Sequence, residues 1–320
     1  MTKSTIFTKS CLLAVSALLI AASTGCTNNE TPAPAVDASG TSKPALGEGG
    51  NQAAQAVKPD TKVQDLMPAD VKSKGSMQLV TDPTYAPIDF TDNTGKIIGL
   101  EPDMALAVAN KMGIKIDITK GDFNGILAGL QSKRYDASWA AFSITPARTA
   151  VVDMVSFMQG GTSVMVKKGN EGSYHNVLDL CGKTVTAQTG TTQALNVLPN
   201  FEKQCTDAGK PAISPLLLPQ QDSANQSIAS NRAQAMLADN ALTAYYSQVQ
   251  PEAFAQIDSI LVEPSLAGVA MAKGDGELAK AFQAAIQSLI DDGTYGKIMA
   301  AWNLTPSAVK TAEINPTVEG

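Results

Sequence analysis

The sequence holds a single histidine, His175, and no metal-ligand spacing surrounds it, so no metal site is expected. Beside Gly172 and Ser173, His175 reads most simply as a surface loop residue. There is no basic excess: 24 Lys and Arg stand against 30 Asp and Glu, a net charge of −6. Without a basic footprint a nucleic-acid partner is not expected. The sign of the charge otherwise speaks mostly to solubility. Beyond the N-terminus no apolar stretch is long enough to cross a membrane. Cysteine is scarce, with 4 in 320 residues, and aromatics make up 5%. What is present is a balanced composition, 44% hydrophobic and 17% charged. It suits a globular chain with a sizeable core and about two domains.

The N-terminus reads as an address. Lys3 and Lys9 flank the approach to an apolar run from Cys11 to Ala22, which has the length of a signal-peptide core and is short for a membrane span. Residues 1–25 are therefore predicted to be a signal peptide. The string Ser23-Thr24-Gly25-Cys26 resembles a bacterial lipobox, which implies cleavage before Cys26 and a lipid on its thiol. Ser23 stands where leucine is usual, and secretion without a lipid is the alternative. From Thr27 to about Gln64 the chain is rich in Ala, Pro, Gly, Ser, Thr and Asn. Such a segment buries too little surface to offset its ordering entropy, so 26–64 is predicted to be a flexible tether. With Cys11 and Cys26 accounted for, Cys181 and Cys205 remain, and an even remainder in an oxidising compartment suggests a disulfide.

From Met77 onward short strand patterns alternate with helical ones. Met77 to Val80 is strand-like; Met104, Ala107, Val108 and Met112 lie at helical spacing, and Gly113 ends that helix. Ile114 to Ile118 alternates apolar and polar residues, and Ile126, Leu127 and Leu130 open another amphipathic helix. The pattern restarts near Lys183, with strands at 184–187, 213–218 and 233–238 around a helix at 222–230. Leu278, Phe282, Ile286 and Leu289 mark a late amphipathic helix. The order predicts an α/β fold with largely parallel sheet, in two lobes, with ligand at the cleft where strands end.

Four segments carry candidate chemistry. In Ser143-Ile144-Thr145-Pro146-Ala147-Arg148, threonine caps a helix, proline takes its first position, and Arg148 offers a carboxylate receptor near free N–H groups. A surface ion pair is the plainer alternative for Arg148 alone. Gln188-Thr189-Gly190-Thr191-Thr192-Gln193 follows a strand and opens a helix; the turn can hold an anion, or can be a plain capped turn. Asp239 ends an apolar strand, where it can bind an ammonium group or cap the following helix. Asp82-Pro83-Thr84-Tyr85 follows the first strand; Tyr85 can stack on a ligand and Phe123 can form an opposing wall, although Phe123 alone fits a core position as well.

Together these segments resemble the polar amino-acid-binding proteins of ABC importers, bacterial solute-binding protein family 3. The stretches that carry the resemblance are TDPTYAPIDFTDNTGKIIGLEPDMALAVANKMG, LQSKRYDASWAAFSITPAR, VTAQTGTTQ, AMLADN and GVAMAKGDGELAKAFQAAIQSLIDDGTYGKIMAAWNL, in the family's order from about Met77 to Leu304. The resemblance implies a two-lobed periplasmic-binding-protein-like fold (type II) with two crossing hinge strands. Lobe 1 would be 70–160 plus 267–320 and lobe 2 would be 161–266. It implies that Arg148 pairs with the ligand α-carboxylate, helped by Ser143, Thr191 and Thr192, and that Asp239 holds the α-ammonium. Tyr85 and Phe123 would sandwich the side chain, Asp82 would meet a cationic end, and Gln188 and Trp139 would lie near the selectivity region. Ala140 and Ala141 stand where the family usually has serine or glycine, so one hydroxyl contact is missing. The Cys181–Cys205 pair matches the family variant with DLCGK at the start of lobe 2.

The expected function is extracytoplasmic capture of a small polar or basic L-amino acid (arginine, lysine, ornithine, histidine) and its delivery to a permease. Gln188 and the two alanines would suit a neutral amino acid such as glutamine instead. The protein would be a lipid-anchored monomer with no cofactor and no enzymatic activity. The rival is an extracytoplasmic dehydratase of the prephenate or arogenate type on the same fold. Such an enzyme needs a general acid beside the leaving hydroxyl, and the motifs contain no histidine.

Overall fold

A computed structural model describes residues 46–262 and 265–317. The predicted signal peptide, Cys26 with its lipid, and the predicted tether as far as residue 45 lie outside the described residues. The tether prediction is corrected from residue 46 onward, because 46–64 is folded. Helices α1 (Glu48–Gln55), α2 (Thr61–Leu66) and α3 (Ala69–Lys74) precede the first strand. Ala54 and Val63 are fully buried. The reason lies in the small residues that composition counted against folding. A Cβ on Gly50 would meet Asp103 Oδ2 at 2.7 Å and Trp302 Nε1 at 3.0 Å, so only glycine lets α1 approach this closely. Asn51 Nδ2 then donates to Asp103 Oδ1 at 2.9 Å.

The chain continues with β1 (Ser76–Thr81), β2 (Thr84–Tyr85), β3 (Asp89–Thr91), β4 (Ile97–Ile98), α4 (Leu100–Met112), β5 (Lys115–Lys120), α5 (Phe123–Gln131), β6 (Ala137–Ser138), α6 (Pro146–Thr149) and β7 (Val152–Gly160). It crosses at Gly161 into β8 (Thr162–Lys167), followed by β9 (Thr184–Gln188), α7 (Leu198–Asp207), β10 (Ser214–Leu218), α8 (Gln221–Ala229), β11 (Ala235–Asp239), α9 (Asn240–Val249) and β12 (Phe254–Leu261). It returns through β13 (Ser265–Ala272), α10 (Gly276–Asp291) and α11 (Thr294–Ala301).

Each lobe is built on one five-stranded sheet, ordered β5-β1-β6-β13-β7 and β10-β9-β11-β8-β12. Strands joined through helices run parallel: β1 with β5 and β6, and β9 with β10 and β11. The strands on either side of the two chain crossings enter antiparallel. β13 pairs antiparallel with β6 and β7, and β8 antiparallel with β11 and β12. The sheets are therefore mixed rather than largely parallel. Ser265 already pairs with Gly160 in the first sheet, two residues ahead of the expected start of the second lobe-1 segment.

Cys181 and Cys205 form a disulfide, Cα–Cα 5.5 Å, tying the approach to β9 onto α7. Among the described residues, no helix is long and apolar enough to cross a membrane. The carboxyl ends of β1, β6, β9 and β11 lead directly into Asp82, Trp139, Thr189 and Asn240, and this is the edge of an α/β sheet where ligands bind.

Candidate functional site

The first lobe supplies the cation. Thr145 caps α6 as its sequence predicts, its Oγ1 accepting from the Arg148 N–H at 3.2 Å, with Pro146 at the first position. Arg148 is buried, and its Nη1 donates to the Ser143 carbonyl at 2.9 Å. The guanidinium lies over Phe142 at 5.1 Å and Phe123 at 5.7 Å, and these two rings stack at 4.6 Å. Burial pulls the Arg148 pKa down to about 10, with the Asp239 charge opposing, so it stays cationic at neutral pH. Asp82, just past β1, is buried and accepts from Thr84 Oγ1 at 3.0 Å.

The second lobe supplies the facing groups. Gln188 ends β9 and donates through Nε2 to Asp82 Oδ2 at 2.7 Å and to the Pro219 carbonyl at 3.1 Å. The Thr191 hydroxyl donates to the Gln188 carbonyl at 2.7 Å and accepts from the Ala194 N–H at 3.2 Å, so it braces the turn. Thr192 Oγ1 lies 3.2 Å from Ser143 Oγ. Asp239 makes no side-chain cap to α9. Its carboxylate instead accepts from Gln193 Nε2 at 2.7 Å, and its N–H donates to the Tyr85 hydroxyl at 3.0 Å. Burial raises the Asp239 carboxyl, opposed by the hydrogen bonds from Tyr85 and Gln193 and by Arg148. Burial likewise raises Asp82, opposed by Gln188 and Thr84.

The lobes meet directly across the cleft. Arg148 Nη2 donates to the Gly190 carbonyl at 3.0 Å, and the Gln221 N–H donates to Thr84 Oγ1 at 3.2 Å, beside the Gln188–Asp82, Ser143–Thr192 and Asp239–Tyr85 contacts. Between them lies a small, tightly closed cavity. It is lined by Asp82, Tyr85, Phe123, Ala140, Ala141, Ser143, Arg148, Gln188, Thr191, Thr192, Gln193 and Asp239. Ten of the eleven residues expected at the ligand therefore line one cavity. Trp139 does not: it is buried in the lobe-1 core against Phe157 at 4.6 Å and Phe282 at 6.4 Å. One position past a two-residue strand, spacing alone does not fix which way an aromatic turns.

The motifs do not single out Phe142 or Glu101, and they include Gln193 without giving it a role. Phe142 buries the guanidinium, and Gln193 braces Asp239 while also donating to Thr162 Oγ1 at 2.9 Å. Gln193 stands in the QTGTTQ string, directly after the two threonines, and that position was the available signal. Ala141 takes a left-handed backbone, φ +50°, and its N–H donates to the buried Glu101 carboxylate at 2.9 and 3.2 Å. Among the described residues, no group of His, Cys, Asp and Glu is arranged to hold a metal ion.

The chain is similar to the arginine-binding protein ArgT of Corynebacterium glutamicum, 28% identical over 258 residues, 80% of this chain and 84% of the relative. It is similar to the L-cystine-binding protein TcyJ of Escherichia coli, 28% identical over 240 residues, 72% of this chain and 84% of the relative. Among solved structures it resembles an ancestral arginine-binding protein bound to arginine, with 32% identity, a TM-score of 0.64, and coverage of 71% of this chain and 98% of the other. It also resembles the ancestral amino acid-binding protein AncCDT-1, a precursor of cyclohexadienyl dehydratase, with 28% identity, a TM-score of 0.64, and coverage of 73% and 97%. The family model for bacterial extracellular solute-binding proteins, family 3, matches residues 77–305, and the chain belongs to that family.

Proposed function

We propose that this chain captures an L-amino acid with a cationic side chain, L-arginine foremost, outside the cytoplasm and delivers it to an ABC permease. One observation carries the choice of ligand. The cavity is lined by one cation, Arg148, and two carboxylates, Asp82, which is buried, and Asp239, which is half-buried. An amino acid's own zwitterion takes one of each: its carboxylate on Arg148 and the Ser143–Thr192 side, its ammonium on Asp239. Asp82 is left over, and a guanidinium or ammonium on the side chain offsets it. Cystine, neutral overall, would bring a second carboxylate into a lining whose only cation is already engaged.

The interlobe hydrogen bonds support a hinge in which ligand contacts on both lobes favour the closed state. In the same reading Cys26 carries a lipid that holds the protein, as a monomer, at the membrane. The named relatives are binding proteins, which supports a role in transport rather than catalysis.

A thermal-shift panel of the common amino acids tests the proposal. A ligand at about 100 times its Kd adds roughly 2.7 kcal/mol to stability. The expected result is a shift with L-arginine and a smaller one with L-lysine. A shift with L-cystine alone would refute the cationic assignment, and a flat panel would refute amino-acid capture.

A further inference from the structure

Behind the cavity wall lies a second pair of carboxyls that do not line the cavity. Asp89 in β3 and Glu101 in the first turn of α4 are about 1% and 0% exposed. Gly99 brings the two segments together: at φ +141°, a Cβ there would meet the Ile88 carbonyl carbon at 2.6 Å. Glu101 has a partner, since both its oxygens accept the N–H of Ala141 at 2.9 and 3.2 Å. Neither Asp89 oxygen meets a donor from the protein. Its buried neighbours are the Glu101 carboxyl and the Thr81 hydroxyl, with Asp82 as a further negative charge nearby. Two adjacent buried carboxyls cannot both ionise. A proton on Asp89, donated to Glu101, satisfies Asp89 and leaves Glu101 charged toward Ala141. Burial and the neighbouring carboxyl raise Asp89, and burial raises Glu101.

Ala141 lines the ligand cavity in a left-handed conformation that is unfavourable for an alanine. A carboxylate on its N–H is the contact that holds it there. We propose that Asp89 and Glu101 form a proton-sharing pair that clamps the Ala141 peptide, making both of them positioning residues for ligand capture. The groups facing the pair are Thr81 and Asp82 on the Asp89 side and Asp239 on the Glu101 side. The pair therefore adds negative charge behind the Asp239 pocket wall, where an ammonium would sit.

The inference rests on the cationic amino-acid reading only for its choice of ligand. It is tested on the mature chain by the amide proton shift of Ala141 and by titration with L-arginine. Glu101→Gln keeps an acceptor but removes the charge, so the Ala141 amide proton should move upfield while affinity stays within about 5-fold. Glu101→Leu orphans the N–H and should weaken L-arginine by about 5- to 150-fold. Asp89→Asn keeps a donor toward Glu101 and removes the titrating proton, so its readout is the pH profile of stability. With folded pKa raised, Asp89 contributes stability that is lost as pH rises from about 4 through its raised value. Asp89→Asn should remove that alkaline loss of melting temperature. An Ala141 amide unmoved in Glu101→Gln, or a folded Glu101→Leu with unaltered affinity, would overturn the proposal. If Glu101→Leu does not fold, the amide shift in Glu101→Gln decides alone. Failure of the unaltered chain to bind L-arginine would refute the ligand reading while leaving the amide test intact.

Discussion

Replacing Asp82 by asparagine should erase the preference for a charged side-chain end without harming the rest of the pocket. Asp82 is 6% exposed and has two protein donors, Gln188 Nε2 at 2.7 Å and Thr84 Oγ1 at 3.0 Å. A guanidinium reaching it must share the carboxylate with Gln188, so the gain is that of one charged hydrogen bond rather than of a bare ion pair. Such a bond is worth about 1.5–3 kcal/mol, a factor of about 10–150 in affinity. Asparagine is nearly isosteric and still offers an oxygen to Thr84 or Gln188, so the lobes should close as before. The comparison ligand is L-citrulline, which keeps the shape of arginine and loses its charge. Calorimetric titration of both ligands into both proteins gives four affinities. The unaltered chain should prefer L-arginine over L-citrulline by about 10–150-fold, and Asp82→Asn should bring the ratio near one. A preference that survives the substitution would refute the role assigned to Asp82.

Other consequences are independent of that one. Burial raises both Asp82 and Asp239, so L-arginine affinity should decline as pH falls through their raised values, earlier than an ordinary carboxyl near 4 would dictate. The ligand-free chain should respond oppositely, since these two groups cost stability as pH rises; affinity that is flat or increasing down to pH about 4 would contradict the first sign. Replacing Cys181 and Cys205 by serine opens a loop of sequence separation 24 and should cost about 3 kcal/mol in denaturant unfolding, with ligand affinity little changed. Deleting 46–56 uncovers the 4%-exposed Trp302 and removes the Asn51 donor from Asp103, so the melting temperature should drop by the equivalent of about 1.5–3 kcal/mol while L-arginine still binds. An unchanged melting temperature would mean that α1 adds nothing to the folded body.

Much of the fold and the site was legible because the relevant signals are local. Met104, Ala107, Val108 and Met112 mark α4 by spacing alone, and Thr145-Pro146 fixes the start of α6 and thereby Arg148. Gln188 and Asp239 are readable as strand-end residues, and strand ends face the cleft. What escaped depends on tertiary contacts. Gly47, Gly50 and Ala54 lower the apparent burial of 46–56, yet they are what lets α1 lie against Trp302. Trp139 turns to Phe157 and Phe282 in the core, a choice made by partners about 18 and 143 positions away. Glu101 and Asp103, two acids in the first turn of α4, look like surface helix-dipole partners and are instead buried on Ala141 and Trp302. The mixed sheets follow from where the chain passes between them, after β7 and after β12, which no local residue pattern encodes.

The most direct measurement is calorimetric titration of L-arginine into the unaltered chain and into Arg148→Met. The unaltered chain should bind at one site per molecule. Arg148→Met keeps the packing on Phe123 and Phe142 but offers no partner to the α-carboxylate, and it should lose at least about 100-fold in affinity. Equal binding by the two proteins would contradict capture in the interlobe cavity, and no binding by the unaltered chain would contradict L-arginine as the ligand.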